Sequence, residues 1–182
     1  MADIKHSSII LKDGNLLVIR KVNKEDAAGI IEYMNMISIE SDNLTFGKDG
    51  FQITVEQEEE FIESTSNDTN SIMLVGYVKD ELVSIASIST PTRERIAHTS
   101  EIGLSVKKKY WNVGVGSALL TKLIEFAKQT NTIKIIHLKV RADNKSGIYI
   151  YNKLGFEEIG CYRKFFKIDE SYYDALLMNL YI

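Results

Sequence analysis

The stretch Glu101-Ile-Gly-Leu-Ser-Val-Lys-Lys-Lys-Tyr-Trp-Asn-Val-Gly-Val-Gly-Ser-Ala-Leu119 joins a predicted strand to a predicted helix. Its first six residues alternate, with an apolar residue at each even-numbered position, as in a half-buried β-strand. From Gly114 to Gln129 the apolar residues instead recur at helical spacing. A lysine-rich linker and two glycines separate the two patterns. The stretch therefore predicts a strand, a glycine turn and an amphipathic helix in succession.

The glycine turn has the features of a pyrophosphate-binding site. Glycines let the backbone approach a ligand, the N–H groups of a first helical turn lack partners within the helix, and the helix N-terminus carries about half a positive charge. A dinucleotide fingerprint is excluded because Leu119 stands where it needs a third glycine, and the Gly-Lys-Ser or Gly-Lys-Thr of a P-loop is absent. The alternative is that the glycines only shape the start of the helix. The residues predicted to bind the pyrophosphate of a coenzyme are Asn112, Val113, Gly114, Val115, Gly116 and Ser117, and the adjacent Trp111 is predicted to belong to the same coenzyme site.

The hydrophobic period also predicts the elements around this stretch. Strands are expected at 8–11, 16–22, 72–78, 82–89, 133–140, 156–168 and 172–182, and helices from Asn23 to about Ile39, at 55–63 and at 145–154. The order of strands and helices around the glycine turn implies a partly parallel sheet, and hence an α/β or α+β fold. Because the chain has a single proline and no linker, residues 1–182 are expected to form one domain.

Composition excludes several classes of function. With a net charge of -3, the chain offers no basic field for nucleic acid. Its apolar runs are far shorter than the roughly 20 residues that cross a bilayer. The first residues do not resemble a cleaved signal, and Cys161 is the only cysteine, so no internal disulfide can form. We therefore expect a soluble cytoplasmic protein that binds neither nucleic acid nor a membrane.

Two segments resemble the motifs of the GNAT superfamily of N-acetyltransferases. Glu101 to Leu119 is similar to the family's Gln/Arg-x-x-Gly-x-Gly/Ala motif after a central strand, although Trp111 stands at the Gln/Arg position. Asn144-Lys-Ser-Gly-Ile-Tyr-Ile-Tyr-Asn-Lys-Leu-Gly-Phe156 resembles the family's Asn-x-x-Ala-x-x-x-Tyr-x-x-x-Gly-Phe segment, with Gly147 in place of alanine. The start of the chain, 15–26, is also similar, so the resemblance extends over nearly the whole sequence.

The resemblance implies a fold and a co-substrate. The family's sheet is mixed, has about seven strands, is splayed between its two central parallel strands and is flanked by about four helices. The implied co-substrate is acetyl-CoA, whose pantetheine arm would pair with the backbone of Leu104, Ser105 and Val106 as an added strand does. Asn144 would orient the coenzyme, and it also suits the N-cap of a helix. No metal is implied, and homodimers are frequent among such families.

The implied reaction is direct attack of an amine on a thioester carbonyl. An amine with a pKa near ~10.4 is mostly protonated at neutral pH, so a general base is valuable. Glu101 is the predicted base because it begins the central strand and resembles an acidic position used in the family; a surface carboxylate is the alternative. Glu94 and His98 are further candidates, whereas His137 is interpreted as a core histidine.

Tyr151 resembles the tyrosine that donates a proton to the departing thiolate in the family. Two alternatives remain for this position. Tyr151 could only pack beside Phe156, or Tyr149 could take the role.

The acceptor is expected to be a small amine or a peptide N-terminus. Selectivity is expected from the segments 36–51, 89–99 and 165–173, and Asp42, Asp49, Glu56 and Glu94 would suit a cationic acceptor. The run Glu58-Glu59-Glu60 is interpreted as the solvated face of its helix. Two other functions remain as alternatives: a coenzyme A-binding sensor without turnover, and a nucleotide-binding regulator.

Overall fold

A computed structural model describes residues 6–182, which form one mixed sheet of eight strands and four α-helices. The strands are β1 (Ser7–Ile10), β2 (Leu16–Lys21), β3 (Ile72–Val78), β4 (Glu81–Ser89), β5 (Thr99–Val106), β6 (Ile135–Arg141), β7 (Glu157–Ile168) and β8 (Ser171–Tyr181). The helices are α1 (Ala27–Glu40), α2 (Val55–Asn67), α3 (Val115–Thr130) and α4 (Lys145–Lys153). The predicted fold class is confirmed. The sheet exceeds the expected seven or so strands by one, since the four-residue β1 pairs with β2.

Near the glycine turn, two parallel strands separate. The sheet order is β1-β2-β3-β4-β5-β6-β8-β7. β5 and β6, which α3 connects, are parallel but pair only where Thr99–Glu101 faces Ile135–His137. β5 stays paired with β4 as far as Val106. The predicted splay between the central parallel strands is thus confirmed, and it opens toward their carboxyl ends.

The two faces of the sheet carry separate apolar cores. On one face, α3 buries Leu119, Leu120 and Leu123 against residues of β2, β3 and β6. On the other face, α1 and α2 bury their apolar sides against Met73 and Ile85. Because side chains alternate along a strand, β3 and β4 contribute to both cores, whereas the buried apolar residues of β5 and β6 belong to the first.

The start of α1 is fixed by a buried ion pair. Arg20 of β2 donates two hydrogen bonds of 2.7 Å to the Asp26 carboxylate. The Asn23 N–H and the Tyr77 hydroxyl donate to the same carboxylate at 2.8 and 3.1 Å. Burial acts to raise the pKa of Asp26, but the hydrogen bonds from Arg20 and Asn23 outweigh it and lower the pKa. These contacts hold α1 against the sheet, and α1 in turn forms one wall of the site.

Among residues 6–182, no helix is both long and apolar enough to cross a membrane.

Replacing Leu123 by alanine tests the packing of α3. Leu123 is 0% exposed, so Leu123→Ala should lower the free energy of unfolding by about 2–5 kcal/mol, the usual cost of such a cavity. Leu16→Ala is the control, because Leu16 is 52% exposed and should change the value by less than about 1 kcal/mol. Urea unfolding curves of both variants measure the difference, and equal losses would contradict the packing described.

Candidate active site

The opening between β5 and β6 leads into a cavity of about 1150 Å³. Its walls come from β5, the glycine turn, the start of α3 and α4 on one side, and from α1, α2 and the segment between them on the other. The structure brings to this cavity the residues predicted to bind the coenzyme, together with Glu101 and Tyr151; of this set, only Val113 does not line it. Those that do are Glu101, Leu104, Ser105, Val106, Trp111, Asn112, Gly114, Val115, Gly116, Ser117, Asn144 and Tyr151.

The glycine turn presents unpaired backbone donors. Asn112 and Gly114 have φ values of 63° and 111°, in the left-handed region, and Gly114 is the N-cap of α3. The first hydrogen bond of the helix runs from the Ala118 N–H to the Gly114 carbonyl at 3.1 Å. Within residues 6–182, the N–H groups from Gly114 to Ser117 have no hydrogen-bond partner. The turn therefore presents free backbone donors at the positive end of a helix, which are the groups that suit an anion.

Close packing fixes where this turn lies. A Cβ on Gly116 would come within 3.3 Å of Leu104 Cδ2 and 3.7 Å of Ile150 Cδ1, so the absent side chain lets α3 begin against β5 and α4. The indole Nε1–H of Trp111 donates to the Val106 carbonyl at 2.7 Å. Trp111 thus ties the turn to the end of β5, and its only polar donor is already used.

β5 has an open backbone edge beside the turn. The Lys107 N–H donates to the Val83 carbonyl of the neighbouring strand at 2.9 Å. Because hydrogen-bonded positions alternate in an antiparallel ladder, the backbone of Ser105 faces β4, whereas that of Leu104 and Val106 faces the gap toward β6. The N–H and C=O of Leu104 and the N–H of Val106 are thus placed to pair with an extended ligand.

Tyr151 lies where α4 meets this gap. Its ring packs edge-on against Phe156, with 5.6 Å between the ring centroids. The hydroxyl has no hydrogen-bond partner among the described residues, and burial raises the pKa of Tyr151 to about 12. Tyr151 therefore stays protonated at neutral pH and has a free donor, so packing and proton donation are compatible. Tyr149, by contrast, is 68% exposed.

Asn144 is the N-cap of α4. Its Oδ1 accepts a hydrogen bond from the Gly147 N–H at 3.0 Å. A Cβ on Gly147 would lie 2.7 Å from Asn144 Nδ2, which explains the glycine at this position. The capping role is confirmed, and the side chain still lines the cavity.

Glu101 lies on the side of the sheet that faces α1 and α2. It pairs with Ser89 of β4. Ser89 lies on the same face of β4 as Ile85, which is buried against α1 and α2. The carboxylate forms an ion pair with Lys139 of β6. The neighbouring His137 is half-buried, and this burial lowers its pKa. Glu94 and His98, the other predicted candidates, are exposed and do not line the cavity.

Glu58 corrects one interpretation from the sequence. Glu60 is exposed as expected, but Glu58 is only 2% exposed and lines the cavity. Its side chain has no hydrogen bond or ion pair within the described chain, and burial raises the pKa of Glu58 to about 7. The local signal was present: Glu58 precedes the buried Ile62 by four residues, so both lie on one face of α2.

These features agree with what the comparisons with known proteins show. A family model described as the acetyltransferase (GNAT) family matches residues 36–156, which is more than half of the chain. The chain belongs to the GNAT family of acetyltransferases. A GNAT-family acetyltransferase from Streptococcus pneumoniae has the same fold, with a TM-score of 0.88 and 30% identity over 91% of this chain and 99% of that one.

Two further proteins are similar to this GNAT chain. The L-amino acid N-acetyltransferase AaaT of Escherichia coli is 32% identical over 105 residues, a match that covers 58% of this chain and 65% of AaaT. The chain thus spans less than two thirds of the length of that relative. The structure of yncA from Salmonella typhimurium with its cofactor acetyl-CoA has a TM-score of 0.79 at 19% identity, over 91% of this chain and 93% of that one, which is a likeness of fold.

Two of the three lysines of the linker in this GNAT chain pair with one carboxylate. The Lys107 ammonium is paired with Glu81 at 2.9 Å, and that of Lys109 lies 3.9 Å from the same carboxylate. Other lysines line the cavity, and sequence reasoning missed them because they come from distant segments. On the side of the glycine turn they are Lys12, whose N–H donates to the Val113 carbonyl at 3.0 Å, and Lys145 and Lys153 of α4; Lys139 of β6 lines the cavity on the other side.

The predicted selectivity segments contribute unequally to the cavity. Within 36–51, most of the apolar side chains face it, but of 89–99 only Ser89 does, and of 165–173 only Phe165. The four acidic residues that seemed suited to a cationic acceptor, Asp42, Asp49, Glu56 and Glu94, do not line it.

Replacing Gly114 by alanine tests the anion site of this GNAT chain. At φ 111° a side chain adds strain of about 1–3 kcal/mol, which the turn would relieve by rotating its backbone; its N–H groups would then point elsewhere, so Gly114→Ala should weaken coenzyme A binding by about tenfold or more. Gly29→Ala is the control: Gly29 lies in α1 with open space around its Cα, and the change should leave binding unaltered. Isothermal titration with coenzyme A gives both affinities, and an unchanged value for Gly114→Ala would argue against the turn as the site.

Proposed function

We propose that this protein transfers an acetyl group from acetyl-CoA to a primary amine of a small molecule or peptide by direct attack. The observation that carries the proposal is the row of unpaired N–H groups from Gly114 to Ser117 beside the open backbone edge of Leu104 and Val106. Membership of the GNAT family, the likeness to AaaT and the acetyl-CoA of yncA support it.

The residues of the cavity fit acetyl-CoA. The amides of the glycine turn, at the positive end of α3, are suited to a diphosphate, and Lys12 lines the cavity beside them. The backbone of Leu104 and Val106 is suited to the amides of a pantetheine arm, which bind as an added strand. Acetyl-CoA supplies the acetyl group as a thioester, so that a C–N bond forms as the C–S bond breaks and the sulfur keeps the electron pair.

Two residues are proposed to move protons. Acetylation of an ammonium group removes two protons from its nitrogen, of which one leaves to a base and one ends on the sulfur. Glu101 is proposed as a base, since it lines the cavity on the side away from the glycine turn. Tyr151 is proposed to supply the proton at the sulfur. With a pKa of about 12, the phenol is protonated throughout the neutral range, and its hydroxyl is not engaged elsewhere in the described chain.

The same proposal extends to the whole chain and its location. Residues 1–182 are proposed to act as one catalytic domain. Cys161 is free and exposed, as is common for thiols in a reducing compartment, so we propose that the protein acts in the cytoplasm.

Tyr151→Phe tests the proposed proton donor. The change keeps the ring that packs on Phe156 and removes only the hydroxyl, so kcat should fall by about 10²-fold, at the lower end of the acid–base range, with little change in the KM for acetyl-CoA. Thiol release from acetyl-CoA with a panel of amines measures both constants.

Tyr149→Phe is the matched variant on the same helix and should leave kcat unchanged. If Tyr149→Phe is the slower variant, the role belongs to Tyr149. If coenzyme A binds but no amine gives thiol release with the unaltered protein, the chain is a binding module and the proposed activity is wrong.

A further inference from the structure

Glu58 is a buried carboxylate with no partner. It is 2% exposed, and no side chain or backbone donor of residues 6–182 bonds to its oxygens. A buried charge without a partner is unfavourable by several kcal/mol, so proteins keep one where a ligand or a reaction needs it. Apolar residues also line the same cavity from α1, α2 and the segment between them, among them Met34, Leu44, Phe46, Phe51 and Phe61.

Glu58 lies on the opposite side of the sheet from the glycine turn. α2 packs on the face that carries Met73 and Ile85, whereas α3 packs on the other face. A ligand that reaches Glu58 therefore approaches the gap between β5 and β6 from the side away from the anion site. Two reactants on opposite sides can meet in the gap without competing for space.

Among the described residues, the cation that lines the cavity on the α1 and α2 side is not free to bind a ligand carboxylate. Lys139 is paired with Glu101. Arg141 donates to both oxygens of Asp143 at 2.8 and 2.6 Å. Glu58 thus leaves this side with an unpaired negative charge, which attracts a cation and repels a carboxylate.

We propose that Glu58 binds the ammonium group of the acceptor and takes a proton from it, and that the acceptor is a compact primary amine beside an apolar group, without a free carboxylate. This inference rests on the proposed acetyl transfer and names its acceptor. One proton passes from the acceptor nitrogen to a Glu58 oxygen and then to water, which makes Glu58 the base in place of Glu101, whose carboxylate is paired with Lys139. The nitrogen keeps the electron pair that attacks the acetyl carbon, and its second proton ends on the sulfur. The aromatic and aliphatic wall then binds the apolar group of the acceptor.

The titration of Glu58 suits this role. Burial raises its pKa to about 7, near the pH at which a general base is most effective. No charged neighbour contributes to the shift. The titratable residues of the elements packed against α2 are Lys24, Glu25, Asp26, Glu32, Tyr33, Glu40 and Tyr77; of these, Lys24 is paired with Glu59 and Glu63 of α2 itself.

A matched pair of variants tests Glu58. Glu58→Gln and Glu60→Gln remove the same charge from the same helix, but only Glu58 faces the cavity. With leucinamide as acceptor, Glu58→Gln should lower kcat/KM by about 100-fold, within the range for a lost base, and leave the KM for acetyl-CoA unchanged. Glu60→Gln should match the unaltered protein. In the unaltered protein, kcat/KM should fall as the pH is lowered through about 7, where Glu58 becomes protonated. This fall should be absent in Glu58→Gln.

Stability against pH gives a readout independent of activity. The pKa of Glu58 is higher in the folded chain than in the unfolded one, so the unaltered protein loses stability as pH rises through about 7, while a glutamine does not titrate. The melting temperature of Glu58→Gln relative to that of the unaltered protein should therefore increase between about pH 5 and pH 8. Glu60→Gln should show no such trend. If the difference in melting temperature between Glu58→Gln and the unaltered protein does not change with pH, Glu58 is not a buried carboxylate without a partner.

The choice of acceptor separates this inference from the proposed function. Leucinamide should be acetylated at least about tenfold better than leucine, which adds a carboxylate, and than ethanolamine, which lacks the apolar group. Suppose that the unaltered protein acetylates amines, but that Glu58→Gln is as active as Glu60→Gln or that leucine is acetylated better than leucinamide. The inference about Glu58 is then wrong, while the proposed acetyltransferase activity stands. If no amine is acetylated, the proposed function fails, and calorimetric titration of leucinamide into the unaltered protein and Glu58→Gln still decides whether Glu58 holds an ammonium group.

Discussion

Every part of the candidate site depends on the point at which β5 and β6 stop pairing, just beyond Glu101 and His137. From there β5 remains bonded to β4 alone, so its other edge keeps backbone donors and acceptors that need partners. α3 begins against that edge because Gly116 has no side chain to collide with Leu104. An open strand edge and an open helix start therefore lie together, and a ligand that carries both amides and phosphates can satisfy both.

The sheet divides the site into two chemically different halves. On the α3 side the binding groups are main-chain donors with lysines nearby, an arrangement for anions. On the α1 and α2 side they are carboxylates among apolar side chains, an arrangement for an amine. The gap between the parted strands connects the halves, which suits a reaction between a phosphorylated donor and a cationic acceptor.

Burial raises the pKa of two acidic groups of this cavity, with different consequences for their protonation at neutral pH. The phenol of Tyr151 has its pKa raised to about 12, so it remains a donor at neutral pH. The carboxyl of Glu58 has its pKa raised to about 7, so it exchanges protons in the same range. The same physical cause, loss of hydration of the charged form, thus keeps one group protonated and brings the other close to the pH at which it can act as a base.

The sequence by itself determined the local features of the molecule. The alternation in β5, the helical period of α3, the glycine turn at its start and the Asn144 cap are each set by a few neighbouring residues, and each was predicted. The splay of β5 from β6 was expected only through the family resemblance, since no local pattern specifies where two strands part. The spacing of Glu58 to Ile62 places both on one face of α2, but only the tertiary structure decided that this carboxylate has no partner and that Glu81 pairs with Lys107 and Lys109. The partners of a charged side chain come from elements far away in sequence, so the position of that side chain on its own helix does not determine them.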